Sequence, residues 1–366
     1  MREGESVTSR HASAVSGKVV QTVLGPIAAE DLGVTMAHEH VLVDQGHVSF
    51  RKPDNARDAH LADRPVSLDF FGWIQWNWMS NHDNLILDSE SLAIDELRLY
   101  KAAGGQSLVD CTLPGIGRNP EALARIARAT GLNIVMGAGY YVQPTFPERV
   151  ASMSEDEITA EIIKEFREGV GDTGIRAGSI GEIGSSVPIT ADETKVFRAA
   201  GRAQVELKCG LTTHPARVRE SPFQIIDILR EVGADLSRVV LGHIDRTVPD
   251  ADGLKELAAA GCFIQYDLFG TEVTATFPYQ FYGIDMPSDA QRLDRIAALV
   301  DAGHGDQILV AHDVSTKHRT RRYGGLGYDH FLRDIVPWMP KRGFDEKVIQ
   351  KLIVENPRRA FAIERC

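Results

Sequence analysis

The regular alternation of short apolar runs with amphipathic stretches is the feature of this 366-residue chain that most restricts its fold. We interpret eight apolar runs as buried strands. They are Val34–Val43, Ser107–Thr112, Asn133–Val142, Gly178–Gly184, Leu211–His214, Val239–Asp245, Phe263–Phe269 and Ile308–Val314. Strands that alternate with helices pair in parallel, because each helix carries the chain back across the sheet. The pattern therefore predicts an α/β fold.

Apolar residues with helical spacing fill the segments between these runs. The predicted helices are Leu92–Ala103, Pro120–Thr130, Glu157–Val170, Asp192–Leu207, Phe223–Val232, Leu254–Ala260 and Ala290–Asp301, and the stretch Tyr328–Ile363 supplies the last ones. Gly104, Gly131 and Gly261 follow three of them, as left-handed helix C-caps do. Eight strands can close into a (β/α)₈ TIM barrel, so we expect a single barrel domain. A doubly wound open sheet is the alternative.

The segment from about residue 44 to residue 89 interrupts the alternation. It is long and polar and contains several aromatic residues. A loop of this size in a compact domain is typically functional. Because it follows the first strand, we expect an insertion that lies over the mouth of the barrel. Residues 1–18 are polar and predict a disordered or loosely packed tail before a barrel domain of residues 19–366.

Composition argues against several classes of partner. The net charge is −11, from 40 Lys and Arg and 51 Asp and Glu, which argues against nucleic acid or an anionic membrane. A local basic patch can still bind an anionic small molecule. The chain shows no run near the ~18 apolar residues of a membrane span and no apolar secretory signal. The cysteines have neither CxxC nor zinc-finger spacing and are expected to be reduced; they are Cys111, Cys209, Cys262 and Cys366. We expect a cytoplasmic protein.

Imidazole and carboxylate groups recur at the carboxyl ends of five predicted strands. Residues two apart on a strand face the same way, so His38 and His40 share one face while Glu39 faces the other. The later strand ends supply Glu182, His214, His243 and Asp313. In a barrel this rim is where active sites are built. His312 precedes Asp313 and is expected to point into the helix layer, in a structural role.

Six ligands of this kind are too many for one tetrahedral zinc ion. They suit two divalent cations, zinc, manganese or iron, held about 3.5–4 Å apart by a carboxylate and a hydroxide. A water between two cations loses a proton near neutral pH and becomes a nucleophile. Asp313 can orient that hydroxide and carry its proton to the leaving group. The sequence thus predicts a metal-dependent hydrolase.

The motifs VQTVLG, HEH, IRAGSIGEIG, TTH, LGH and ILVAHD have the order and spacing found in the phosphotriesterase family of the amidohydrolase superfamily. The chain resembles this family from about Val20 onward. The motifs GAGYYV, PFQII, HIDRT, DLFGTE, IDMP, TKHR and RYGGLGYDH are similar to its phosphotriesterase-related, or resiniferatoxin-binding, branch. The resemblance implies a binuclear metal hydrolase with a TIM barrel, and a homodimer.

The resemblance also implies roles for individual residues. His38 and His40 look like ligands of a buried metal, and His214 and His243 look like ligands of an exposed one. Glu182 looks like the bridge, and the carboxylate of Asp313 looks like the remaining buried-metal ligand and proton shuttle.

Two departures from the family pattern bear on the substrate. The founding triesterases bridge their metals with a carbamylated Lys, and this chain has no Lys between Arg176 and Lys195. This favours lactones, esters or other acyl compounds over organophosphates. Relatives that open phosphorylated lactones carry a Lys after the Asp-x-x-Gly of strand seven, where this chain has Thr271. The phosphotriesterase-related branch instead implies an N-acyl amide such as an N-acetylated amino sulfonate.

An anionic substrate of this kind needs a cation near the mouth of the barrel. Arg246, Lys317 and Arg319 each follow a ligand strand and are candidates. Tyr140 and Tyr141, after strand three, can line the pocket or donate to the substrate oxygen. Two other functions remain open: phosphotriester or phosphodiester cleavage, and ligand binding at a structural metal site without turnover. His318 and His330 lie beyond the last strand, where solvated positions are open to them.

Overall fold

The computed structural model describes residues 17–272 and 286–364, and eight parallel strands form its central sheet. The strands are β1 (Thr35–Glu39), β2 (Ser107–Asp110), β3 (Asn133–Ala138), β4 (Ser179–Gly184), β5 (Leu211–His214), β6 (Val239–Leu241), β7 (Phe263–Tyr266) and β8 (Ile308–Val310). Neighbouring strands follow chain order. Just past β8, the N–H of Asp313 donates to the carbonyl of His38 in β1 at 3.2 Å. The two edges therefore meet, and the predicted barrel is confirmed over the open sheet.

Several strands end earlier than the sequence predicts. β3 ends at Ala138 instead of Val142, and β6 ends at Leu241 instead of Asp245. The backbone has a positive φ at His243 (54°) and at Asp313 (53°), just beyond β6 and β8. Left-handed backbone cannot continue a β ladder. The chain thus leaves the sheet at the positions where the predicted site residues lie.

Helices connect the strands, and the predicted ones are confirmed to within a few residues. Their bounds are Glu90–Ala102, Pro120–Thr130, Glu155–Arg167, Ala191–Leu207, Ser221–Glu231, Ala251–Ala259 and Asp289–Asp301. The C-terminal part contains Phe331–Ile335, Val336–Trp338, Glu346–Gln350, Lys351–Glu355 and Asn356–Phe361. Capping boxes start the helices that follow Ser154, Thr190 and Ser288. Gly131 is a left-handed C-cap, as expected (φ 68°).

A small antiparallel sheet that the sequence analysis missed lies at the amino ends of the barrel strands. It consists of Lys18–Thr22, Gly25–Ala28 and Ile363–Glu364. Val23 donates its N–H to the carbonyl of Ile134 at the start of β3, at 2.9 Å. Val20 packs in an apolar cluster with Val109 and Phe361. This sheet covers the amino end of the barrel, so the opposite end carries the cavity described below.

The insertion after β1 folds into short helices and a strand pair. These elements are Val43–Asp44, Gly46–Ser49, Ala56–Leu61, Leu68–Phe70, Phe71–Trp76, Trp78–Ser80, Asp83–Leu85 and Ile86–Leu87. Gln45 donates its Nε2 to the carbonyl of Ser315, at 2.7 Å. The N–H of His318 donates to Oδ1 of Asn84, at 2.9 Å. The insertion is thereby fixed to the loop that follows β8, at the carboxyl end of the barrel.

Some sequence predictions fall outside the described residues. These are the tail up to residue 16, Cys366 and the first half of the IDMP motif. Lys18, placed in the tail by the sequence analysis, begins a strand. Cys111, Cys209 and Cys262 are buried free thiols, as expected.

A buried ionic network ties the last part of the barrel together. Arg292 is fully buried, and its Nε and Nη1 lie 2.8 Å from carboxylate oxygens of Asp245 and Asp289, respectively. Its Nη2 donates to the carbonyl of Thr271 at 3.0 Å. His330 reaches the same Asp289 through its Nε2, at 2.8 Å. Removing the arginine leaves the buried carboxylate of Asp245 without its cation and that of Asp289 with His330 as its remaining ionic partner.

We predict that Arg292→Met lowers the free energy of unfolding by about 3–5 kcal/mol, because it breaks a buried ion pair from one side. Urea denaturation of both proteins, at equal metal content, measures the change. The control Arg98→Met removes an arginine that is 60% exposed and should leave the unfolding midpoint unchanged. Equal midpoints for Arg292→Met and the parent would contradict this account of the network.

Candidate metal centre

The carboxylate of Glu182, at the end of β4, lies against all four predicted histidine ligands. Its oxygens lie 2.8 Å from Nδ1 of His214, 3.1 Å from Nε2 of His243, 3.3 Å from Nε2 of His40 and 3.4 Å from Nε2 of His38. The Glu182 side chain is 2% exposed. The structure thus brings together residues from β1, β4, β5 and the end of β6. Asp313, at the end of β8, joins them.

Asp313 lies at the edge of this group. Its Oδ1 is 3.2 Å from Nε2 of His40 and 3.9 Å from Nε2 of His38. The Asp313 side chain is 17% exposed, whereas that of His38 is fully buried. Asp313 is therefore the carboxylate that links the buried group to the open space above it.

Unusual backbone holds three of these residues in place. Gly181, before Glu182, has φ +98°, and a Cβ there would lie 2.0 Å from the carbonyl oxygen of Thr212. His243 and Asp313 adopt positive φ without being glycine. Such residues cost about 1–3 kcal/mol each and persist only where their surroundings hold them. Arg319 stabilises the backbone at Asp313, because its Nη1 donates to the carbonyl of Asp313 at 2.5 Å.

A second acidic residue, Asp267, orients two of the rings. Its carboxylate lies 2.8 Å from Nδ1 of His243 and 3.2 Å from Nδ1 of His38. It also accepts the backbone N–H of His243, at 2.9 Å. Thr112 contacts Nδ1 of His40 in the same way, at 2.9 Å. Groups of this kind turn histidine rings so that the opposite nitrogen faces a metal.

A role for Asp267 was not predicted from the sequence, although a signal was present. Asp267 directly follows β7, as the residues of the site follow the other strands. Asp267 could have been identified by considering every polar residue at a strand end, and not only the histidines, Glu182 and Asp313.

The arrangement fits divalent metal ions. Nε2 of His38 is buried without a hydrogen-bond partner in the structure, although it faces a carboxylate. His38, His40 and Glu182 place one donor atom each within 4.8 Å of one another, and so do Glu182, His214 and His243. The two groups share Glu182. Their buried imidazole and carboxylate donors can therefore hold two cations with Glu182 between them.

The electrostatics favour the same occupant. Burial raises the pKa of Glu182, but the imidazoles of His214 and His38 outweigh this and lower it well below its ordinary value. Burial opposes charge on His40, but hydrogen bonds to Asp313 and Glu182 raise its pKa to about 10. Burial lowers the pKa of His214 to about 3. The carboxylates are thus ionised and His214 is neutral, the forms in which both bind metals, whereas His40 is protonated at neutral pH and would have to lose its proton to become a ligand.

A small cavity opens above this group. Its wall includes Glu182, His214 and Asp313 of the barrel and Trp78 of the insertion. Apolar side chains complete part of the wall: Val43, Ile116 and Leu268. A substrate in this cavity would contact residues of the buried group and also apolar side chains.

Three of the five predicted substrate-contact residues line the cavity: Tyr141, Arg246 and Arg319. The hydroxyl of Tyr141 lies 3.2 Å from Nε2 of His214, and Nη2 of Arg246 lies 3.3 Å from the same nitrogen.

The structure does not bring Tyr140 or Lys317 into the cavity wall. The hydroxyl of Tyr140 donates to Oε1 of Glu161 at 2.6 Å, because β3 ends before the tyrosines and the chain turns this ring outward. Lys317 pairs through Nζ with Oδ1 of Asp83 in the insertion, at 2.5 Å. The cavity instead includes Arg217, which the sequence analysis missed. Arg217 follows His214 at the same spacing as Arg246 follows His243, and this repeat was a usable signal.

The remaining predicted histidines are buried, and one of them, His318, also lines the cavity. Nδ1 of His312 lies 2.7 Å from Oε1 of Glu39, and its Nε2 accepts the N–H of Phe331 at 2.9 Å, in keeping with its expected orientation. A solvated position is wrong for His318 and His330, which are each 6% exposed. The insertion covers the first of them, and an ionic network holds the second.

The family model described as "Phosphotriesterase family" matches residues 18–361 of this chain. The chain belongs to the phosphotriesterase family. It is 43% identical over 351 residues to an N-acetyltaurine hydrolase of Danio rerio, covering 95% of this chain and 98% of that protein. The Homo sapiens N-acetyltaurine hydrolase is also 43% identical, over 348 residues, with 94% and 98% covered.

Solved structures of the family superpose on the whole barrel. A resiniferatoxin-binding protein from Rhodobacter sphaeroides is 38% identical, with a TM-score of 0.90 and 94% of each chain covered. A lactonase from Listeria monocytogenes is 26% identical, with a TM-score of 0.76, and covers 95% of this chain and 100% of its own. The chain is therefore a hydrolase with the barrel of this family. Within the described ranges, none of its helices combines the length and apolar character that crossing a bilayer requires.

We predict that Asp267→Asn weakens metal binding by about 10- to 100-fold, because it removes the charge that orients the rings of His38 and His243. The measurement is the metal retained at equilibrium against a graded series of chelator concentrations. Asp294→Asn, at a position 67% exposed, is the matched control and should bind like the parent protein. Parent-like retention in Asp267→Asn would show that Asp267 does not support the ligands.

Proposed function

We propose that this hydrolase cleaves N-acyl amides whose amine part carries an anionic group, and that an N-acetylated amino sulfonate such as N-acetyltaurine is its substrate. The observation that carries the proposal is the position of Arg246, whose guanidinium contacts His214 inside the cavity above Glu182. An anion-binding group thus lies directly beside the group that fits metals. The names of the relatives that are 43% identical support the same substrate class.

The proposed cofactor is a pair of divalent ions, with zinc as the first choice and manganese and iron as alternatives that the donor set also suits. His38, His40 and Asp313 would hold one ion, His214 and His243 the other, and Glu182 both. When bound, two such ions bring the pKa of a water between them toward neutrality and polarise the acyl oxygen.

Asp313 is the proposed proton carrier of the reaction. Its carboxylate is ionised, since hydrogen bonding to His40 and the charges of His243 and His40 outweigh burial and lower its pKa. It lies at the boundary between the ligands and the cavity, and can take a proton from the attacking water and deliver it to the amide nitrogen. The hydroxyl of Tyr141, which faces the cavity beside His214, can donate to the acyl oxygen. Water thereby gives its oxygen to the acyl group and its proton to the amine.

Arg246 is the proposed contact of the anionic group. Burial, and then the charge of Arg217, lower its pKa to about 10, so it is protonated at neutral pH. Trp78, Ile116 and Leu268 give the cavity an apolar wall that can pack on the methylene groups of the substrate. Arg319 also lines the cavity, but its guanidinium donates to the carbonyls of Asp313 and Phe269 and so stabilises the loop.

Lactone hydrolysis is the second candidate, supported by the similarity to the Listeria monocytogenes lactonase. A carboxylate bridge from Glu182, without a carbamylated Lys, speaks for acyl substrates over organophosphates. The cytoplasmic location, the homodimer and the loosely packed tail before the first strand stay predictions of the sequence.

We predict that the metal-loaded enzyme has a kcat/KM for N-acetyltaurine several orders of magnitude above that for aryl phosphotriesters, and clearly above that for simple lactones. The reason is that the cavity contains the buried guanidinium of Arg246, which can bind the anionic group. The proposed metal ligands lie beside it, where the acyl group would be cleaved. Assays of one preparation against the three classes measure the order. A preference for lactones or phosphotriesters would overturn the proposed substrate class.

We predict that Asp313→Asn lowers kcat by about 10²- to 10⁴-fold, because the amide cannot carry the proton. Metal content must be measured alongside, since Asp313 is also a proposed ligand. Asp306→Asn, at a position 55% exposed, is the control and should keep the parent rate. Retention of the parent kcat in Asp313→Asn with full metal content would exclude the proposed role.

A further inference from the structure

Two arginines occupy equivalent positions after neighbouring barrel strands. Arg217 follows His214 of β5, and Arg246 follows His243 beyond β6, with the same spacing. Both line the cavity above Glu182. Arg246 is 4% exposed, and Arg217 is half-buried. The two strand ends therefore present two guanidinium groups to one small space.

The two groups act on one another and on the site. Both guanidinium groups are positively charged and line the same cavity, so they repel one another. An anion between them relieves that repulsion, and the planar fork of arginine suits oxyanions that accept two hydrogen bonds. A sulfonate has three oxygens, enough for both guanidinium groups.

The position of Arg246 also limits the length of the substrate. Its Nη2 lies 3.3 Å from Nε2 of His214, whose Nδ1 lies 2.8 Å from Glu182. A single imidazole ring thus separates the guanidinium from the proposed bridging carboxylate. An anion held there lies close to the scissile bond, so only a short spacer fits between them.

We propose that Arg217 and Arg246 together form an anion subsite that holds the sulfonate beside His214 and selects short N-acyl amino sulfonates over neutral or longer amides. This inference rests on the proposed function and adds Arg217 to it as a specificity residue. Arg319, the other arginine of the described cavity wall, is excluded from the subsite because it holds backbone carbonyls.

The test compares Arg217→Gln with the parent on N-acetyltaurine and on N-ethylacetamide, its neutral counterpart. For N-acetyltaurine, KM should rise about 10- to 100-fold, the value of a hydrogen bond to a charged group, while kcat stays close to the parent. For the neutral amide, kcat/KM should not change. Arg217→Lys should recover part of the loss, because it restores the charge without the fork.

The matched control is Arg219→Gln. Arg219 lies on the same loop but is paired with Asp250 at the surface, at 2.9 Å, and is 44% exposed. It should behave as the parent on both substrates. A homologue of N-acetyltaurine with a longer spacer should be a poor substrate of the parent. An unchanged KM for N-acetyltaurine in Arg217→Gln would overturn the subsite while leaving the proposed function intact.

A binding experiment separates the two proposals if the parent does not cleave N-acetyltaurine. Calorimetric titration of the metal-loaded proteins with ethanesulfonate measures the anion subsite without turnover. Affinity should fall about 10-fold or more in Arg217→Gln and in Arg246→Gln, and stay unchanged in Arg219→Gln. Equal affinity in Arg217→Gln and the parent would refute the subsite even if the substrate class proves different.

Discussion

The structure of the site depends on one carboxylate, that of Glu182, shared by four histidines from three other barrel strands and their ends. Burying an ionised carboxylate among imidazoles is unfavourable unless cations or hydrogen bonds compensate for the lost water. Here the donor atoms converge at distances of 2.8–3.4 Å, and one buried nitrogen of His38 lacks a hydrogen bond in the structure. Divalent ions would compensate the buried charge of Glu182 and would bind the nitrogen of His38. The closed barrel brings strand ends that are distant in sequence to one point.

The site is also where the backbone departs from regular geometry. His243 and Asp313 leave their strands in left-handed conformations, and Asp267 and Arg319 hold them there through backbone hydrogen bonds. Strain of this kind concentrates at functional sites and is offset by the rest of the fold. In this chain the offset comes from the apolar core between barrel and helices and from the sheet that covers the amino end.

Much of this arrangement could be predicted from the sequence because it follows from two periodicities. Alternating strands and helices predicted the barrel, and the positions of the six proposed ligands at strand ends predicted that they converge. Side chains alternate between the two faces of a sheet only within a strand. The prediction that Tyr140 lines the pocket was therefore wrong, because Tyr140 lies beyond the last residue of β3. The contact of Lys317 with Asp83 joins residues 234 positions apart, which local patterns do not reveal. Asp267 and Arg217 were missed although their positions relative to strand ends were readable.

The most direct test of the account is the metal content of the parent protein and of Glu182→Ala, measured by elemental analysis after dialysis. If Glu182 lies between two ions, the parent should retain two per chain, and the variant should lose both together, because each proposed position depends on this carboxylate. One ion or none in the metal-replete parent, or two ions in the variant, would contradict the account.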